Sequence, residues 1–76
     1  MPTVRRFERC RITMYFQDHA PAHFHVITNS NERVTVIIES LAILAGDADA
    51  RDISEALEWA KNNRETLRGL WQEYSE

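Results

Sequence analysis

All three histidines of the 76-residue chain lie within seven positions, at His19, His23 and His25, in the stretch QDHAPAHFHV. Asp18 stands directly before the first of them. Histidine is the side chain that exchanges protons near neutral pH, and it is also the commonest metal ligand. The cluster therefore indicates an acid–base or phosphate-binding site, a metal site, or histidines that only pack and bond locally.

Alternating apolar and polar side chains around this cluster predict β-strands, because successive side chains of a strand point to opposite faces of a sheet. The expected strands are residues 9–16, 23–28, 33–39 and 41–46. Pro21 and the NSNE sequence at residues 29–32 are turn formers between them. This pattern predicts an antiparallel meander of three or four strands.

The C-terminal part of the chain has the spacing of an amphipathic helix. Apolar residues recur at intervals of three and four positions through residues 53–74, and Asp47 or Asp49 can cap the start. We expect one long helix, although Asn62 and Asn63 would allow a break. The helix should cover the apolar face of the sheet, which gives an α+β fold.

The opposite face of the predicted sheet collects polar and cationic side chains. His23 and His25 should leave the same side of one strand, with Cα atoms roughly 6.5–7 Å apart. The alternation places Arg11 and Arg33 on that side too, and Tyr15 adds a hydroxyl. We expect this face to be open to solvent.

These residue types suit a phosphate-bearing ligand such as RNA or a nucleotide. Arg11 and Arg33 can hold phosphate oxygens through bidentate hydrogen bonds, and Asp18 and His19 are further candidate ligand-binding residues. In a ribonuclease-like reaction, one neutral histidine would take the proton of a 2′-hydroxyl while a protonated histidine served the leaving oxygen.

The candidate catalytic residues are His23, His25 and Tyr15. They would serve a metal-independent ribonuclease or phosphodiesterase, and the sequence leaves open whether the chain is an enzyme.

A metal site is the main chemical alternative. Asp18, His19, His23 and His25 are suitable ligands, and a catalytic zinc ion commonly has three protein ligands and one open position. However, the arginines expected on the same face oppose a divalent cation, and the single Cys10 does not support a structural zinc site. We therefore expect no metal and no cofactor. A purely structural role for the histidines is the third alternative.

Charge and length limit the function classes further. The net charge of −3 argues against strong non-specific binding to nucleic acid, which depends on neutralising many phosphates, but it allows a local cationic site. The arginines of residues 1–15 would most simply belong to a solvated arm. No apolar run approaches the roughly 20 residues of a membrane span, and nothing resembles a signal peptide. We expect one cytoplasmic domain over residues 1–76.

The segment DHAPAHFHV, residues 18–26, resembles the D-H-x-P-P-H-F-H-V signature of a small bacterial family of domains of unknown function. The family usually has a second proline at the position of Ala22. Further matching positions are Met14-Tyr15, Gly46, Glu58-Trp59-Ala60, Glu65, Leu67 and Trp71. The resemblance thus extends over nearly the whole chain.

The resemblance implies a cytoplasmic protein of a prokaryote or phage that has a cognate small partner protein. Family members are typically encoded beside a second small protein, in arrangements similar to toxin–antitoxin pairs, and some are regarded as growth-inhibiting toxins. We therefore expect a toxin-like component that engages RNA or another phosphate-bearing ligand. The alternative is a non-enzymatic module that binds a partner protein, or a second copy as a homodimer, through the open sheet face.

Overall fold

The computed structural model describes residues 3–75, in which five antiparallel strands are followed by two helices. The elements are β1 (Thr3–Arg6), β2 (Cys10–Thr13), β3 (His23–Thr28), β4 (Arg33–Ile37), β5 (Ile43–Gly46), α1 (Ala50–Lys61) and α2 (Arg64–Ser75). The strands lie in the sheet in chain order. The α+β class and the antiparallel meander are therefore confirmed, whereas the numbers of strands and helices differ from the prediction.

Residues Thr3–Arg6 form a strand in place of the expected arm, although three of these four residues are exposed to solvent. β1 hydrogen-bonds to the edge of β2, where Arg6 lies opposite Arg11. Arg5 places its guanidinium 5.6 Å from the ring centre of Trp59 on α1. Backbone pairing and this cation–π contact therefore hold a segment whose composition alone suggests solvation.

One face of the sheet packs against α1 and part of α2 to form the core. The buried cluster consists of Cys10, Ile12, Met14, Phe24, Val26, Val34, Val36, Ile38, Ile53, Ala56, Ala60 and Leu67. The strand residues among them belong to the apolar side of the predicted alternation. Phe16 departs from it and is 63% exposed, because β2 already ends at Thr13.

The C-terminal segment forms two helices, so the prediction of one long helix is wrong. The backbone N–H of Asn62 donates to carbonyl oxygens of the preceding turn. The side-chain amide of Asn62 donates to the Glu58 carbonyl over 3.2 Å, and that of Asn63 to the Trp59 carbonyl over 2.8 Å. Asparagine amides that bond to nearby backbone groups compete with helix continuation. The break therefore falls at the two asparagines.

The first helix begins as the sequence predicts. Asp49 is the N-cap, and its carboxylate accepts a hydrogen bond from the backbone N–H of Arg51 over 2.9 Å. Within residues 3–75, no helix has both the length and the apolar composition needed to cross a membrane.

Candidate functional site

The central strand β3 carries two histidines on the face opposite the core. His25 lies between Thr13 of β2 and Thr35 of β4, and His23 lies opposite Ile37. The two imidazole rings are neighbours, with centroids 5.2 Å apart. The strand thus brings two of the predicted site residues together on one side of the sheet.

This face is covered at the histidines, and the expectation that it is open to solvent there is wrong. His23 and His25 are each only 7% exposed. The ring of Trp71 lies 5.0 Å from that of His23, and the ring of Tyr15 lies 4.7 Å from that of His25. The alternation of apolar and polar residues predicts the side of a strand on which a residue lies. It does not predict which aromatic side chains from elsewhere in the chain pack over that side.

Both ring nitrogens of His23 have partners. Nδ1 lies 2.6 Å from the carbonyl oxygen of Pro21, and because a carbonyl only accepts, Nδ1–H is the donor. Nε2 lies 2.9 Å from Oδ2 of Asp18. An ionised carboxylate also only accepts, so Nε2 carries a proton or faces a cation. The ring is therefore held at both ends.

Asp18 lies in the loop between β2 and β3, beside the histidines. Its carboxylate accepts a hydrogen bond from the backbone N–H of His19 over 2.9 Å. Burial favours the neutral acid, but this hydrogen bond and the charge of His23 outweigh it, and the pKa of Asp18 is lowered below its usual value. The side chain of His19 is 94% exposed, with Nδ1 3.3 Å from the same carboxylate. Asp18 is thus a carboxylate at neutral pH, and His19 stands at the edge of the site.

His25 is a neutral imidazole at neutral pH. Burial lowers the pKa of His25, and the charges of His23 and Arg33 lower it further against the opposite effect of Asp18. In the part of the chain that the structure describes, its Nδ1 is buried and has no hydrogen-bond partner. A neutral imidazole can accept a proton or bind a metal ion through its unprotonated nitrogen.

Three arginines, which we call the arginine row, lie across the same face of the sheet. Arg6 pairs with Arg11, Arg11 with Ile27, and Ile27 with Arg33. The Arg33 guanidinium is 6.0 Å from the ring centre of Tyr15. Within residues 3–75, no carboxylate is at ion-pair distance from any of the three. The row therefore has positive charge that can meet an anionic ligand.

Two residues of this site, Arg6 and Trp71, do not follow from the sequence pattern. The position of Arg6 on the histidine face could be predicted from alternation only if the four residues of β1 were recognised as a strand. Trp71 fits the apolar stripe of a continuous helix, and its contact with His23 depends on where α2 lies after the break. Arg11, Arg33 and Tyr15 lie on the histidine face, as the sequence predicts. Their chemical roles stay predictions.

Three of the predicted candidates form a compact group of potential metal ligands. Asp18, His23 and His25 each offer one ligand atom, and these atoms lie within 4.8 Å of one another. The exposed His19 is not a member of this group. The site as a whole thus combines a possible cation-binding group with a neighbouring surface that favours anions.

A family model described as a domain of unknown function, DUF4160, matches residues 10–72. The matched range contains β2 to β5, α1 and most of α2, together with the histidine cluster. No curated protein and no solved structure is significantly similar to the chain. Because the family model covers most of its length, the chain belongs to the DUF4160 family of domains of unknown function.

Proposed function

We propose that this protein is the toxin-like member of a cytoplasmic two-protein module of a prokaryote or phage, and that it engages RNA or another phosphate-bearing ligand through the histidine and arginine face. The family resemblance supports the genetic setting, with a small cognate protein as partner. The observation that carries the ligand class is the arginine row.

The geometry of the row suits a sugar–phosphate backbone. Its members stand on β1, β2 and β4, so it crosses four adjacent strands. With about 4.8 Å between neighbouring strands, the row is roughly 14 Å long at the backbone. Guanidinium groups bind phosphate oxygens through two parallel hydrogen bonds. Such a row can contact successive phosphates of a single strand.

The side chains beside the row add polar groups of a different kind. His25 lies two residues from Ile27, where the row crosses β3. The Tyr15 ring is near both His25 and the Arg33 guanidinium. A neutral imidazole and a phenol both donate and accept hydrogen bonds. They suit the sugar hydroxyl or base edge of a nucleotide whose phosphate the arginines hold.

The net negative charge of the chain favours binding of a ligand at one local cationic site over general affinity for nucleic acid. The net charge is −3, so binding depends on the arrangement of a few arginines. We expect few phosphate contacts and therefore a shallow dependence of affinity on salt, since each contact with single-stranded nucleic acid contributes about 0.7 to the logarithmic slope.

The test is the binding of a short single-stranded RNA, measured by fluorescence anisotropy at several salt concentrations. Arg6→Ala, Arg11→Ala and Arg33→Ala should each weaken binding and reduce the salt slope by about 0.7. Arg51→Ala is the control, because Arg51 is an exposed arginine on α1. Equal losses in Arg51→Ala and in the variants of the row would contradict a defined ligand surface.

The genetic part is tested by expression in a bacterial host. The chain should inhibit growth when expressed alone, and co-expression of the protein encoded beside it should restore growth. Arg11→Ala should reduce the inhibition at an equal level of folded protein. Unimpaired growth on expression of the folded wild-type chain would remove the toxin assignment.

A second candidate function is that of a protein-binding or homodimerising module, and the edge strand β5 favours it. All four residues of β5 are exposed, including Ile43 and Leu44, which are 50% and 52% exposed. Exposed apolar edge strands are common sites of pairing with another chain. Leu44→Lys should reduce self-association or partner binding, measured by light scattering, and should leave RNA binding unchanged.

A further inference from the structure

We propose that Asp18, His23 and His25 together bind a divalent transition-metal ion of the zinc type, through one carboxylate oxygen and one nitrogen of each imidazole. Their ligand atoms lie within 4.8 Å of one another. The inference goes beyond the proposed function, because metal binding does not require RNA binding. It revises the expectation that the site holds no metal, which was based on the arginines opposing a divalent cation on this face.

The first support comes from His25, which is 7% exposed and has a buried Nδ1 with no hydrogen-bond partner in residues 3–75. A buried polar atom without a partner costs about 1–3 kcal/mol. A metal ion can be the partner of such an imidazole nitrogen, since histidine is the commonest metal ligand. The buried nitrogen of His25 that lacks a partner thus suits a metal ligand.

The second support comes from the two partners of His23. Nδ1–H donates to the carbonyl oxygen of Pro21, and this bond leaves Nε2 as the nitrogen that faces Asp18 at 2.9 Å. Metal-binding histidines commonly donate their other N–H to a backbone carbonyl, which fixes the tautomer and the ring orientation. When Nε2 carries no proton, its lone pair faces a lone pair of the carboxylate oxygen, and a cation bound to both atoms removes that repulsion.

The third support is the spacing of the ligands. Bonds of about 2.0–2.2 Å at tetrahedral or octahedral angles place neighbouring ligand atoms roughly 3.0–3.5 Å apart. The His23 and Asp18 atoms are already at 2.9 Å. A separation of up to 4.8 Å has to shorten by roughly 1–2 Å to reach this spacing, while the strand keeps both histidines on the same side.

The ligand types select the class of ion. Two imidazoles favour zinc, copper, nickel or iron over magnesium and calcium, which prefer oxygen ligands. Asp18 supplies one negative charge against the two positive charges of the ion. The loaded group therefore keeps a net positive charge. An anion such as phosphate is therefore the natural additional ligand.

The test is calorimetric titration of the chelator-stripped full chain with Zn²⁺, together with visible absorption spectroscopy of the Co²⁺-loaded protein. The wild-type chain should bind one ion, and Co²⁺ should show absorption bands of nitrogen and oxygen ligation. Asp18→Asn and His25→Ala should each weaken Zn²⁺ binding by about tenfold or more. Asp47→Asn is the matched control, because Asp47 is an exposed aspartate outside this group, and it should bind Zn²⁺ like the wild type.

Two results would overturn the site. One is the absence of saturable Zn²⁺ binding. The other is an equal loss of Zn²⁺ affinity in Asp47→Asn, which would mean coordination by surface carboxylates only. Circular dichroism of each variant checks the fold, and Asp18→Asn provides the test if His25→Ala does not fold. Zn²⁺ binding without RNA binding would support the metal site and contradict the proposed binding of RNA. RNA binding without Zn²⁺ binding would support the proposed function and contradict the metal site.

Discussion

The ring of Trp71 lies against the ring of His23, with centroids 5.0 Å apart and planes inclined by 53°. This contact joins the last helix to the central strand at the histidine cluster. It also explains why a histidine on the polar side of the sheet is buried. The tryptophan therefore links the stability of α2 to the shape of the candidate site.

Trp71→Ala should lower the free energy of unfolding by about 2 kcal/mol, since a large aromatic contact is lost from a partly buried position. The loss is measured by urea denaturation followed by circular dichroism. Gln72→Ala is the control, because the neighbouring Gln72 is exposed, and its effect should stay within about 0.5 kcal/mol. Equal stabilities of the two variants would contradict a supporting role for Trp71.

The strands around the histidines could be predicted from sequence because their alternation is regular. The segment HFHVIT predicts β3 at residues 23–28, as observed, and a shift by one residue would move every apolar side chain to the wrong face. The short β1 has no such pattern. Its formation depends on the free edge of β2, which is a tertiary effect.

The site could be predicted less completely than the sheet. Asp18 and the two histidines are close in sequence, so their proximity in space can be predicted from one loop and one strand. Arg6 and Trp71 come from opposite ends of the chain, and the position of Trp71 depends on the helix break at Asn62. Sequence periodicity carries no information about such distant contacts.

The glycine at the end of β5 should be irreplaceable. Gly46 has a φ angle of 87°, and a Cβ atom at this position would collide with the carbonyl oxygen of Arg33. Gly46→Ala should therefore reduce the stability by about 2 kcal/mol or more, through backbone strain and displacement of β4. Thermal melts followed by circular dichroism measure the loss.

The other glycine, Gly69, provides a matched control, for which substitution by alanine should change the stability in the opposite direction. Gly69 lies on α2. Apart from its two chain neighbours and the nearby helical backbone, no atom of the described residues lies within 4 Å of the position that an alanine methyl group would take. Alanine is favoured over glycine inside a helix. Gly69→Ala should raise the stability by about 0.5–1 kcal/mol. A loss of stability in Gly69→Ala, or none in Gly46→Ala, would contradict the backbone described for these positions.

The N-cap of α1 should contribute stability that depends on pH. The hydrogen bond from the Arg51 N–H to the carboxylate lowers the pKa of Asp49 below its usual value of 3.8. A lowered pKa in the folded state means that the contribution is present above the unfolded value and is lost as the pH falls through the folded one. Asp49→Ala should thus melt lower than the wild type at neutral pH, and the gap should narrow below about pH 4.

Asp47→Ala is the control for the cap, because Asp47 is exposed and stands outside the helix. Its melting temperature should follow that of the wild type at every pH. A gap between the wild type and Asp49→Ala that stays constant into acid would mean that the carboxylate charge has no part in the cap.

Tyr15 should serve packing through its ring and ligand binding through its hydroxyl. The ring lies edge-on to His25 at 4.7 Å, and the Arg33 guanidinium is 6.0 Å from its centre. Tyr15→Phe keeps the ring and should melt like the wild type. Loss of one hydrogen bond worth about 1 kcal/mol should weaken RNA binding about fivefold. Tyr15→Ala should lose both stability and binding. If Tyr15→Phe bound RNA with the affinity of the wild type, Tyr15 would contribute to packing alone. The arginine row would then bind the ligand without the Tyr15 hydroxyl.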